Sequence, residues 1–167
     1  MEIILPELLN FFQYSIYDKI VEHDLLSGSV GAKIKAKIFI KILDFYRKNI
    51  QKALFNSERF KPSYTIEELA DLAKKYLSLE NMTGEGWLLT AEIIALLEEG
   101  VSNIICVQPF GCLPNHIVAK GIIKRLRKDY PKANILALDY DSAVSEVNQV
   151  NRIKLMIAIA DENLSLG

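Results

Sequence analysis

The sequence predicts an α/β fold: a Rossmann-like parallel sheet of about three strands, flanked by helices, with a helical insertion in the N-terminal half. Three observations predict it. Short apolar runs, Ile104-Ile105-Cys106-Val107 and Ile135-Leu136-Ala137-Leu138, read as strands with both faces covered. Segments whose apolar residues recur at three- and four-residue steps separate such runs, which is the pattern of parallel βαβ units with right-handed crossovers. Finally, Gln108-Pro109-Phe110-Gly111-Cys112-Leu113-Pro114-Asn115-His116 breaks the first run and opens a helix. It does so at the carboxyl end of a strand, where open α/β sheets place their ligands.

Taken in order, Ile3-Ile4-Leu5 is a short strand stopped by Pro6, which lacks an N–H for the ladder. Residues 7–26 carry Leu8, Leu9, Phe12, Ile16 and Ile20 at helical spacing, and Ser27-Gly28-Ser29 is the break. Residues 31–55 form a longer helix with Ile34, Ile38, Ile42, Phe45 and Ile50 roughly on one side. A polar loop with Pro62 follows. Thr65-Ile66-Glu67-Glu68 is a capping box that opens a short helix to about residue 77. Residues 85–99 are helical, with Gly100 where a C′ glycine belongs. Strands at residues 101–107 and 134–139 bracket a helix from about 117 to 128, and a last helix spans about 144–159. Residues 1–167 then form a single domain, with 7–80 as a mostly helical cap and 84–160 as the Rossmann-like core.

At 167 residues, half of them hydrophobic and a quarter charged, the chain has the balance of a soluble globular protein. A formal net charge of −1 gives no electrostatic case for nucleic acid. The N-terminus has no basic leader region, and lysines interrupt the one stretch apolar enough to suggest a membrane span. Two cysteines without a leader fit a reducing compartment. The expectation is a cytoplasmic protein with no membrane and no nucleic-acid partner.

Three strand ends would converge at the crevice, offering Pro6-Glu7, Gln108 to Cys112, and Asp139-Tyr140-Asp141. Pro114 suits the first position of the next helix, so Cys112 lies just before a helix N-terminus. Unpaired N–H groups there favour a thiolate. Gly111 beside it allows close backbone approach. Metal ligation, redox chemistry and a simple small hydrophobe are all open for Cys112, whereas Cys106, inside the apolar strand, reads as a buried structural thiol. His116 in the first turn is open as ligand, acid/base or loop-organising hydrogen bonder. Asp139 and Asp141 could bind magnesium or a ribose, or serve as ordinary turn residues. Ser145, Asn148, Asn151 and Arg152 open the last helix with high amide density. Asn148, Asn151 and Arg152 share one face, and a polar network with the strand-end loops is expected there. Glu85, in Gly84-Glu85-Gly86-Trp87, reads as a helix N-terminal charge or a site carboxylate, on a loop expected to lie away from the crevice.

Taken together, Gly84 to Leu89, Gln108 to His116, and Asp139 to Asp141 followed by Ser145 to Met156 resemble the C-terminal region of the acyl-CoA dehydratase activase-related proteins. These are multidomain proteins joining sugar-kinase-like ATPase modules to a region similar to 2-hydroxyglutaryl-CoA dehydratase subunits. The likeness is dense over 84–156 and looser before it, where Pro6-Glu7-Leu8 and Phe11-Phe12-Gln13-Tyr14 carry it. It implies a Rossmann-like domain that supplies cysteine to a 4Fe–4S cluster, with Cys112 as the metal ligand and Gln108, Gly111, Asn115 and His116 around it. One plausible thiolate is an incomplete ligand set. The chain also lacks a P-loop. The resemblance therefore implies a partial domain not active alone, partnered by ATPase/activase modules or dehydratase-type subunits, with a homodimer also open. A non-catalytic interaction domain and a CoA or small-molecule binding module using Asp139 and Asp141 are the alternatives.

Overall fold

The computed structural model describes residues 2–140 and 145–165. Helices α1 (Leu8–Leu26) and α2 (Val30–Phe55) form an antiparallel hairpin, followed by α3 (Ile66–Lys74) and α4 (Gly86–Glu98). Strand β1 (Asn103–Pro109) leads through a π-helical turn (Pro114–Ala119) into α5 (Lys120–Asp129), then β2 (Asn134–Tyr140) and α6 (Glu146–Ser165). The two strands pair in parallel, from Asn103 opposite Asn134 to Pro109 opposite Tyr140.

Local sequence explains the element ends. Thr65 accepts from the Glu68 backbone N–H at 3.2 Å while the Glu68 carboxylate accepts from the Thr65 N–H at 2.8 Å, so the expected capping box forms. Ser27 closes α1 in the left-handed region at φ 60°. Gly100 ends α4 at φ 89°, a conformation that costs a residue with a Cβ.

Helix α4 is apolar all round because it is covered all round. Trp87, Leu88, Ala91 and Ala95 pack into a helical core with Tyr14, Ile40 and Leu69. Its opposite face, with Ile93, Ile94 and Leu97, packs on Ile104, Ile123 and Ile135. The helical half and the sheet half are thus built on one shared helix.

Several expectations are corrected. Ile3, Ile4 and Leu5 form no strand and are 74%, 51% and 81% exposed, so the sheet among the described residues has two strands, not three. A three-residue run ahead of Pro6 offers too few ladder bonds to hold it on a sheet edge. Glu7 therefore ends no strand; it forms an ion pair with the buried Arg47 of α2, and the Pro6-Glu7 corner contributes nothing to the crevice. Strand β1 is not covered on both faces: Ile104, Cys106 and Gln108 are buried, whereas Ile105 and Val107 are 45% and 49% exposed. It also runs on through Gln108 and Pro109, and the following helix starts at Pro114 rather than near 117. Helix α3 stops at Lys74, short of 77, and α6 continues to Ser165. No helix among the described residues is long and apolar enough to cross a membrane.

Candidate functional site at the carboxyl end of the sheet

Strand β1 delivers two side chains to its buried face ahead of the bend, Cys106 and Gln108, by the two-residue alternation of a strand. Gln108 is fully buried and its Nε2 donates to the Asn115 carbonyl at 3.1 Å. This bond ties the strand end to the first turn of the helix. The Gln108 Oε1 is buried without a protein donor among the described residues. The chain then turns through Phe110 to Leu113, with Gly111 at φ 68° and the Cys112 N–H donating to the Pro109 carbonyl at 3.2 Å. Among the described residues nothing lies within 4 Å of a Cβ built on Gly111, so within the chain that glycine serves the backbone angle.

Cys112 is half-buried at the mouth of this turn, and the Asn115 Nδ2 donates to its Sγ at 3.0 Å. That bond fixes the direction of the sulfur, the atom through which a cysteine ligates metals. Cys106 is buried, and burial pushes its thiol up from the ordinary value. Asn115 stands between the two sulfurs, with its Oδ1 3.9 Å from the Cys106 Sγ.

The His116 Nδ1 lies 3.0 Å from the Cys112 carbonyl and 3.9 Å separates its Nε2 from the Asp139 Oδ1. Since a carbonyl only accepts, Nδ1 carries the proton. His116 thus organises the Cys112 backbone; its Nδ1 is not available as a base toward the thiol. Asp139 also pairs with Arg152, Oδ2 to Nη1 at 3.3 Å, and Arg152 donates to the Ala137 carbonyl. The Gln149 Nε2 donates to the Asp139 carbonyl at 2.9 Å. The start of α6 is thereby fastened to the end of β2.

Of the residues singled out from sequence, Gln108, Gly111, Cys112, Asn115 and His116 form one contiguous constellation. Asp139 and Arg152 adjoin it through His116. Ser145, Asn148 and Asn151 are exposed and line a shallow depression beside Arg152, so among the described residues the strand-end contacts of this segment come from Arg152 and its neighbour Gln149. Asp141 lies outside the described residues. The loop at Gly84 does not lie away from the crevice. A Cβ on Gly84, which has φ 64°, would sit 2.9 Å from the Pro114 Cγ. That loop therefore braces the helix start, with Glu85 at the N-cap of α4 but making no side-chain cap bond.

Sequence reading gave no role to Asp18 or Glu92. The Trp87 Nε1 donates to the buried Asp18 Oδ1 at 3.3 Å, and burial pushes that carboxyl up to about 7. Burial does the same to Glu92, also to about 7. A lone carboxylate inside the apolar run Ala91-Glu92-Ile93-Ile94 was the available signal.

No family model, curated protein or solved structure matches the chain.

Proposed function

We propose that the chain is a contributing domain of a 2-hydroxyacyl-CoA dehydratase/activase-type redox system, in which Cys112 supplies one thiolate to an iron–sulfur cluster completed by partner subunits. The observation that supports this most is the contrast between the thiols. Cys112 stands at the crevice with an amide donor on its sulfur, while Cys106 is enclosed.

The donor set fits one corner of a cluster and not a whole one. No group of three or more His, Cys, Asp or Glu side chains able to hold a metal gathers among the described residues, and a cluster takes several thiolates. When bound, the cluster supplies low-potential electron transfer. The chain's own residues position the ligand. Asn115 orients the sulfur, Gln108 holds Asn115, and His116 holds the Cys112 carbonyl. ATPase/activase modules or dehydratase-type subunits would bring the remaining thiolates.

Anaerobic treatment with iron, sulfide and a small exogenous thiol, which can fill the other corners, tests this. Wild type and Cys106→Ala should show visible charge-transfer bands in the protein fraction after desalting into anaerobic buffer that keeps the exogenous thiol, and Cys112→Ala should lack them. Equal iron in wild type and Cys112→Ala removes the ligand role.

A second reading, a non-catalytic interaction domain, is favoured by the apolar surface left open on β1, α2 and α6. It predicts partner binding unchanged in Cys112→Ala and no cluster bands.

A further inference from the structure

Helix α2 turns its apolar side away from the molecule. It buries Ala36, Ile40 and Arg47 against α1. Ile34, Ile38, Ile42 and Phe45, at steps of four, four and three, are exposed, and Phe39 and Tyr46 widen the stripe. The expected one-sided pattern is real, but that side meets solvent. A patch of this kind on a water-facing helix marks an interaction surface.

Its charge is equally one-sided. Helix α2 carries seven basic residues and one acidic, Asp44, in a chain of net charge −1. Asp44 accepts from the Gln13 Nε2 of α1 at 2.8 Å. Lys33 pairs with Asp24 and Arg47 with Glu7. Lys35, Lys37, Lys41, Lys48 and Lys52 remain exposed, so among the described residues the open face presents cations and apolar groups with no competing carboxylate.

That charge selects the occupant. A second copy offering the same face would set lysines against lysines, a like-charge juxtaposition that costs affinity. A bilayer suits less well, because at about 100° per residue Lys35 and Asn49 fall inside the apolar stripe rather than at its edges. An inserted face would have to carry both. A protein surface can meet Lys35 with a carboxylate and Asn49 with a hydrogen bond while covering the isoleucines. We propose that α2 docks an amphipathic, acidic helix of a partner protein, with apolar contacts along Ile34–Ile38–Ile42–Phe45 and Asp or Glu opposite the lysines. The proposal is independent of the cluster.

The test titrates the full chain with a soluble amphipathic Leu/Glu helical peptide, with its Leu/Lys and Leu/Gln counterparts, and with phosphatidylserine vesicles. Sedimentation follows the oligomeric state of the chain alone. The expected result is preferential binding of the Leu/Glu peptide, weakened by salt. Binding should fall about tenfold or more in Lys35→Glu/Lys41→Glu/Lys48→Glu, and the triple variant should prefer the Leu/Lys peptide. Phe45→Asp should lose binding while keeping wild-type circular dichroism. Equal binding of the three peptides overturns the proposal. So does vesicle binding without peptide binding, or a dimer dissolved by the α2 substitutions.

Discussion

Asp18 is buried and Glu92 half-buried, and the desolvation of these two carboxylates gives the stability of the chain a definite pH dependence. Burial raises Asp18 from 3.8 and Glu92 from 4.5, each to about 7. Between those values the folded chain binds more protons than the unfolded one. The stability contributed by the protonated acids is fully present below their ordinary values and is lost as the pH rises through about 7. The melting temperature should therefore fall between about pH 5 and pH 8, and Asp18→Asn combined with Glu92→Gln should flatten the slope. A slope left unchanged in the double variant contradicts this account. Neither acid was singled out from sequence. A charge in an apolar run can be a solvated face or a buried group, and only the packing of Trp87 over Asp18 decides which. Cys112 and Cys106, by contrast, were distinguishable by position alone, one in a Pro- and Gly-broken bend and one inside an apolar strand.

Helix ends were the most legible elements, because a cap depends on residues a few positions apart. Thr65 and Glu68 specify each other's bonds, and Thr65→Ala should cost about 1 kcal/mol in chemical denaturation; no measurable change would show that α3 is held by packing alone. The Gly84–Gly86 turn was legible only in part. Two glycines announce a turn, but nothing local says that Pro114 lies against it. Gly86, at φ 41°, has the Asn81 carbonyl and the Tyr14 hydroxyl where a Cβ would go. Gly86→Ala should therefore destabilise by about 1–3 kcal/mol or more, read from the denaturation midpoint. A midpoint equal to wild type would refute that close packing. The π-helical turn at Pro114 was not legible, since its widened step depends on how Asn115 is held by Gln108. Such turns recur at functional sites, and here the turn sets Asn115 beneath Cys112. The strand assigned to Ile3-Leu5 failed for a related reason: a strand exists only through a neighbour, and three apolar residues do not specify one.

At the scale of the molecule, α4 is the common wall of the helical core and the sheet core, so the two halves should unfold together. Trp87 fluorescence reports the helical core and far-ultraviolet circular dichroism reports the whole backbone, and their melting curves should coincide. Separate transitions would mean that the cores are independent. The α/β class and the parallel crossover were readable from periodicity, while the extent of cover was not. Ile105 and Val107 read as doubly buried yet lie open on one face, because an apolar run carries no record of which neighbours are present. Helix α2 leaves apolar surface open in the same way, and under the function proposed above Cys112 at the crevice is the point at which a partner would share chemistry. Site-resolved alkylation of the native chain, before and after anaerobic iron–sulfide treatment with exogenous thiol, tests that claim most directly. Cys112 should be modified before treatment and protected after it, with Cys106 unreactive throughout. Undiminished modification of Cys112 in the iron-loaded chain would contradict its role as a cluster ligand.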